Sequence, residues 1–288
     1  MNSSRFERQQ LKQLALLLKC QPEEIQKICS DLKKYYGHNI ITKEDKKTGL
    51  PVTYLDGTLK TRPINPSYGR LSVIQASIKN HIFRKIDFPG HINGGVKGKS
   101  NISNAKPHQG KKYIFTTDLS NCFPSITPKM VYAAFLGLKL SNVQARWLTK
   151  LTTYNYALPQ GTSTSPYLAN LCLLPLDKEL LEISIQNNLT YTRYIDDLTF
   201  SSSQDFSRII ELIIETVKSF GLNVSRRKTV YSGSQNITGI DVFNNYIDAP
   251  NKMKKRARLE DNNFKPITNY VNRIRQTNKG VIEVHNKH

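Results

Sequence analysis

Three carboxylates in this sequence stand where chemistry can be done. Asp118 lies near the end of an apolar run, Tyr113–Leu119, that reads as a strand. Asp196 and Asp197 occupy the tip between two short strands, Thr190–Ile195 and Leu198–Ser201. An Asp-Asp pair at a turn is ordinary by itself, because Asp is a common turn residue. Its arrangement with Asp118 carries the reading, since strand ends and tight turns can converge on one point. Mg²⁺ prefers hard oxygen donors and shares itself between one or two carboxylates and substrate phosphates. Two such ions about 3.5–4 Å apart make a 3′ oxygen nucleophilic and a pyrophosphate able to leave. Asp118 and Asp196 are the smallest set that bridges both ions, with Asp197 beside them.

The elements that must position these groups read as a mixture of helices and strands. Phe6, Leu11, Leu14, Leu17 and Leu18 recur at helical spacing over residues 4–19, and a second helix starts at Pro22 and stops by Gly37. Residues 42–50 are polar and read as a loop. Thr53–Leu55, the Asp56-Gly57 turn and Thr58–Ile64 form a predicted β-hairpin. A helix is expected over 70–85, then a long irregular segment rich in Gly, Asn and Lys over 89–110, of the kind that is usually functional or mobile. Ser165-Pro166 opens a helix that runs toward Glu182. An amphipathic helix over 205–220 closes at Gly221. The last forty residues are basic and read as helical. Strands interleaved with helices, including a central hairpin, predict an α+β sheet with helices on one face.

The chain has 288 residues, with 42 Lys+Arg against 22 Asp+Glu, a formal charge of +20. A surplus this large favours a polyanionic partner, and nucleic acid is the commonest one. The four cysteines, Cys20, Cys29, Cys122 and Cys172, form no CxxC pair, which argues against a zinc site and fits a reducing compartment. No apolar run approaches the length of a bilayer span, and the N-terminus does not read as a signal peptide, so a soluble cytoplasmic protein without a membrane partner is expected.

Motif order then ties the sequence to a known family. Tyr194-Ile195-Asp196-Asp197 resembles the YxDD signature of reverse transcriptases, and Thr117-Asp118-Leu119-Ser120-Asn121-Cys122-Phe123 resembles their first catalytic motif. Between them, Leu158 through Pro166 resembles the PQGxxxSP motif. Asn104-Ala105-Lys106-Pro107-His108 resembles the NAxxH element of bacterial retron enzymes, and Ile237-Thr238-Gly239 their VTG triplet with Ile in place of Val. The resemblance covers roughly residues 50 to 245. It implies a right-hand polymerase fold with fingers, a ferredoxin-like palm and a small helical thumb. The corresponding segments are an N-terminal helical segment (1–50), fingers (51–112), palm (113–245) and basic thumb (246–288).

Roles follow residue by residue from that resemblance. Asp118, Asp196 and Asp197 bind two Mg²⁺ ions. Phe123 matches an aromatic gate against a ribose 2′-OH, and Gln160 and Gly161 line the nucleotide and template pocket. Arg62 clamps the triphosphate, and Lys228 protonates or stabilises the leaving pyrophosphate. Asn104 and His108 are assigned to RNA, as are Lys254, Lys255 and Arg258 on the basic C-terminal segment. The implied partners are a structured noncoding RNA, its RNA-linked single-stranded DNA product (msDNA) primed from a 2′-OH, dNTPs, and a separate effector protein in bacterial antiphage defence. Departures exist: Cys122 stands where an aromatic is frequent, Tyr54-Leu55 where lysines are frequent, and the region after Ile240 is short for a thumb. The alternatives are a group II intron-like or diversity-generating reverse transcriptase, a viral-type RNA-dependent RNA polymerase, and a non-catalytic RNA-binding protein on a polymerase scaffold.

Overall fold

The computed structural model describes residues 2–42, 44, 50–53, 56–261 and 264–278. In chain order the elements begin with α1 (Asn2–Leu18), α2 (Pro22–Ser30), β1 (Asn39–Thr42), β2 (Thr61–Ile64), α3 (Gly69–His81), α4 (Asn101–Ala105) and β3 (Tyr113–Ser120). Then come α5 (Cys122–Ser125), α6 (Pro128–Gly137), α7 (Asn142–Thr152), α8 (Ser165–Gln186), β4 (Thr190–Tyr194), β5 (Asp197–Ser202) and α9 (Ile210–Ser219). The chain ends with β6 (Asn223–Val224), β7 (Val230–Ser232), β8 (Gln235–Ile237), β9 (Ile240–Val242), β10 (Ile247–Asp248), α10 (Asn251–Arg258) and α11 (Pro266–Gln276). The α+β expectation is met. Two compact units result: Met1–Asp87 with Phe123–Cys172, and Phe88–Cys122 with Leu173–His288.

The first unit is mostly helical. Apolar stripes put Leu11, Leu14 and Leu18 of α1, Ile25 and Ile28 of α2, and Leu71, Ile74 and Ile78 of α3 into one core with Leu148 and Leu151 of α7. Helices α6 and α7 are not among the predicted elements, although their starts carry ordinary signals. Thr127 accepts from Met130 N, and Ser141 and Gln144 form a reciprocal capping box. The expected hairpin over 53–64 is only partly right. Thr53 and Leu59 bridge across the Asp56-Gly57 turn, with Tyr54 and Leu55 outside the described residues. Thr61–Ile64 pairs instead with Asn39–Thr42, in antiparallel register with Arg62 opposite Ile41. The loop reading of 42–50 therefore begins one residue too early, and residues 43 and 45–49 lie outside the described set.

The second unit is built on an antiparallel sheet of order β4-β5-β3-β6, with β7 also paired to β3. Ile114 and Phe115, neighbours on β3, are both buried, so both faces of the central strand are covered. Helix α9 starts later than expected, after a 3₁₀ turn at Ser207–Ile209. A second sheet, β10-β9-β8, shares an apolar cluster with α11: Ile237, Ile240, Val242, Ile247, Val271 and Ile274. The segment 89–110 is not a loose loop. Ser100 caps α4, and Ile92, Asn93, Ile102, Asn104, Ala105 and His108 are buried. Among the described residues, no helix is long and apolar enough to cross a membrane.

Candidate active site

The register of three strands places the carboxylates. Asp118 on β3 lies directly opposite Asp197 on β5, and Asp197 pairs with Tyr194 across a two-residue turn made of Ile195 and Asp196. One carboxylate oxygen from each of Asp118, Asp196 and Asp197 falls within 4.8 Å of the others. Asp118 is buried and the other two are partly exposed, so the cluster opens on one side. Three hard oxygen donors at this spacing suit a divalent cation of the Mg²⁺ type better than a soft-ligand metal.

The turn that carries Asp196 is strained and tightly held. Ile195 has φ of 58°, a left-handed conformation that costs a β-branched residue about 1–2 kcal/mol. Leu119 N donates to Asp196 O at 2.8 Å, which ties the tip to the end of β3. Gly94 packs against the turn so closely that an added Cβ would stand 2.5 Å from Ile195 N and 2.8 Å from Tyr194 C. Only glycine permits that approach.

Lys228 reaches the cluster, its Nζ 2.6 Å from Asp118 Oδ1. It is delivered by a 3₁₀ turn, Arg226–Lys228, whose flanks are bonded to β3. Ser225 N donates to Asp118 O at 2.7 Å, and the Thr229 and Thr117 hydroxyls lie 2.8 Å apart.

In the first unit, the nucleotide candidates Arg62, Gln160 and Gly161 come from neighbouring segments. Asn65 N donates to Gln160 O at 2.8 Å. Gly161, at φ 98°, lies where a Cβ would stand 2.6 Å from Ile64 Cγ2, two residues along from the exposed Arg62. The rest of that motif is a hydroxyl knot: Ser165 Oγ donates to Pro159 O and Thr162 Oγ1 lies against Ser165 Oγ, both at 2.6 Å. Phe123 is half-buried on α5.

The remaining candidates separate into surface and interior. Lys255 and Arg258 are exposed on α10. Lys254 is ion-paired to Asp248 at 3.0 Å, and Arg275 bonds the same carboxylate at 3.0 Å. Burial raises the Asp248 pKa, but the hydrogen bonds from Arg275 and Lys254 outweigh it and leave the group below its usual value. Asn104 and His108 are both fully buried, so the direct RNA contact expected of them has no surface to act through. His108 accepts or donates to Ser201 Oγ at 2.7 Å and Thr192 Oγ1 at 2.8 Å, locking the segment onto the β4-β5-β3 sheet. Asn104 Nδ2 lies 3.4 Å from Thr238 Oγ1, and Asn101 Nδ2 donates to Thr238 O at 3.1 Å and bonds Tyr270 of α11. The two short motifs that pointed to retrons therefore touch each other, joining α4, the β8–β9 turn and α11.

Comparison with known proteins agrees with this geometry. A family model described as reverse transcriptase (RNA-dependent DNA polymerase) matches residues 41–242. The chain belongs to the reverse transcriptase family. Its α+β architecture is the right-hand polymerase fold. Similar proteins are retron reverse transcriptases. The Retron Se72 enzyme of Salmonella heidelberg (strain 579083-10) is 34% identical over 61% of this chain and 48% of its own length. The Retron Ec86 enzyme of Escherichia coli is 30% identical over 70% and 64%, respectively. The Retron Ec48 enzyme of Escherichia coli is 27% identical over 77% and 59%. The chain thus spans between about half and two thirds of these relatives' lengths. Among solved structures, telomerase from Candida albicans with a fragment of telomeric RNA matches at a TM-score of 0.47 and 11% identity, over 79% of this chain and 50% of that one.

Three residues of this site carry no signal of their role in the sequence: Gly94, Asp177 and Arg193. Gly94 is hidden in a Gly- and Lys-rich stretch. Asp177 sits inside α8 and forms an ion pair with Arg193 at 2.6 Å that only the fold makes, and Arg193 directly precedes the signature tyrosine.

Proposed function

We propose that this chain is the RNA-directed DNA polymerase of a retron. It copies a structured noncoding RNA into single-stranded DNA that stays linked to the RNA, primed from an RNA 2′-OH. The observation that carries the reading is the convergence of Asp118, Asp196 and Asp197 within 4.8 Å beside the Lys228 ammonium.

Asp118, Asp196 and Asp197 would hold two Mg²⁺ ions, which would supply activation of the attacking oxygen and neutralisation of the pyrophosphate. The chain's own residues do the rest. Lys228 stands ready to give a proton to the leaving pyrophosphate. Arg62 contributes a planar fork suited to phosphate oxygens. Gln160 and the glycine backbone at Gly161 shape the nucleotide and template pocket, and Phe123 selects against a 2′-OH. Lys255 and Arg258 face the RNA. We assign residues 51–112 to fingers, 113–245 to palm and 246–288 to thumb, after a helical segment at 1–50. The retron relatives come from bacteria, and we extend the reading to the bacterial cytoplasm, beside an effector protein in antiphage defence.

Primer extension on an RNA template with Mg²⁺ and dNTPs tests the reading. Wild type extends the primer, while Asp196→Asn abolishes synthesis and leaves RNA binding nearly intact, because shape is kept and a charged ligand is removed. Synthesis by that variant at the wild-type rate overturns the metal assignment. Sequencing the nucleic acid that copurifies with the protein distinguishes a retron RNA from an intron or a diversity-generating template.

A further inference from the structure

Arg193 is fully buried, and so is its partner Asp177. The guanidinium grips the carboxylate with two bonds, Nε to Oδ1 at 2.7 Å and Nη2 to Oδ2 at 2.6 Å. Tyr191 adds a third bond to the same carboxylate, its hydroxyl donating to Oδ1 at 2.7 Å. The remaining arm of the fork, Nη1, donates to the Ile195 carbonyl at 2.9 Å. That carbonyl belongs to the peptide that leads into Asp196.

The backbone of Arg193 is held as well. Arg193 N donates to His91 O at 2.9 Å, and Asn93 N donates to Arg193 O at 2.8 Å. Segment 91–94 thereby lies along β4 and brings Gly94 against Ile195 from outside. Ile195 is clasped by a side chain on its carbonyl and a glycine at its nitrogen, in a conformation that a β-branched residue avoids.

A buried ion pair is weak evidence for stability, because an apolar pair of similar volume often serves as well or better. Strain that persists at a catalytic turn needs surroundings that over-determine it. We propose that the Asp177–Arg193–Tyr191 network is a positioning device that sets the Ile195–Asp196 turn, and with it the Asp196 carboxylate, for metal binding. The assignment rests on the polymerase reading for its catalytic consequence, but not for its geometric one.

The test replaces the network by apolar groups without leaving an orphan: Arg193→Met, Asp177→Leu and Tyr191→Phe together. Removing one partner alone strands a buried charge and threatens folding. The triple variant is expected to keep its melting temperature within a few degrees and its affinity for RNA within about twofold, since neither depends on the turn. Its kcat for nucleotide addition falls about a hundredfold, the size expected of a misplacement near 1 Å, with KM for dNTP little changed. Mn²⁺ titration followed by electron paramagnetic resonance, with Asp196→Asn as the blank, shows weaker binding than wild type. A folded triple variant with wild-type kcat and wild-type Mn²⁺ affinity overturns the proposal. If the triple variant does not fold, Arg193→Lys is read the same way. It keeps the charge and removes the fork, and unchanged kcat and Mn²⁺ affinity in it overturn the proposal equally. A wild-type protein that makes no DNA defeats the polymerase reading, while the Mn²⁺ comparison still decides the positioning one.

Discussion

Lys228 Nζ lies 2.6 Å from Asp118 Oδ1, across 110 residues of sequence. The carboxylate is buried and the lysine half-exposed, so the ammonium stands between the carboxylate cluster and solvent. A group that can shed a proton to a leaving pyrophosphate needs that position. Lys228→Ala is expected to slow single-nucleotide addition about a hundredfold, within the usual range for general acid catalysis. Its melting temperature should change little, because the ammonium is half-exposed and screened by solvent. Rapid-quench measurement of one addition checks this, and a wild-type rate would reduce Lys228 to a counter-ion of Asp118.

Sugar selection is assigned to Phe123, five positions after Asp118. Phe123→Ala is expected to raise ribonucleotide use relative to deoxynucleotide use by about 5- to 150-fold, the range that corresponds to a clash of roughly 1–3 kcal/mol between the ring and a 2′-OH. Competing rNTP and dNTP incorporation on one template reads it. An unchanged ratio makes Phe123 a packing residue.

The cluster of three carboxylates is legible in the sequence because its positions are local: a strand end and a two-residue turn announce themselves through apolar runs and Asp in turn context. What holds the cluster is not legible. Arg193 reads as one more cation in a basic chain, and Asp177 as a polar helix residue. Their ion pair joins α8 to β4 across the fold. The strands β6 to β10 are two or three residues long, too short for a period-2 pattern to register. Strand β1 leaves Ile40 and Ile41 exposed, so no buried face marks it. The opposite lesson comes from α7, whose Ser141 and Gln144 spell a capping box that announces the helix in the sequence itself.

His108 makes the fold acid-sensitive. Burial pushes its pKa down to about 3, from an ordinary value near 6.5, so the folded protein holds it neutral. The sign follows: below about pH 6.5 the unfolded chain takes up a proton that the native state refuses. Stability is therefore lost as pH falls from 6.5 toward 3, at up to roughly 1.4 kcal/mol per pH unit from this group. His108→Gln keeps a polar partner for Ser201 and Thr192 without the titration. Melting curves from pH 7 to 4 should fall less steeply for that variant than for wild type, and parallel curves would remove His108 from the acid response.

The basic C-terminal segment holds exposed cations, Lys255 and Arg258 among them, and two, Lys254 and Arg275, that are already engaged by Asp248. Lys255 and Arg258 lie three apart on α10 and are exposed, so they share a face. Lys254, by contrast, joins Arg275 on Asp248, which links α10 and α11 to the end of β10. Helical RNA offers phosphates and 2′-hydroxyls more readily than base edges, so charge and shape should dominate its recognition. Changing Lys255 and Arg258 to Gln is expected to weaken RNA binding and flatten its salt dependence, by up to roughly 0.7–0.9 in log–log slope for each phosphate that is no longer neutralised. Lys254→Gln should mainly lower the melting temperature and leave the salt slope close to wild type. Filter binding across a salt series, run beside thermal melts of each variant, separates the two outcomes. If the Lys255 and Arg258 changes leave both slope and affinity untouched, the RNA face lies elsewhere, and the Gly- and Lys-rich stretch over 94–112 becomes the next surface to neutralise.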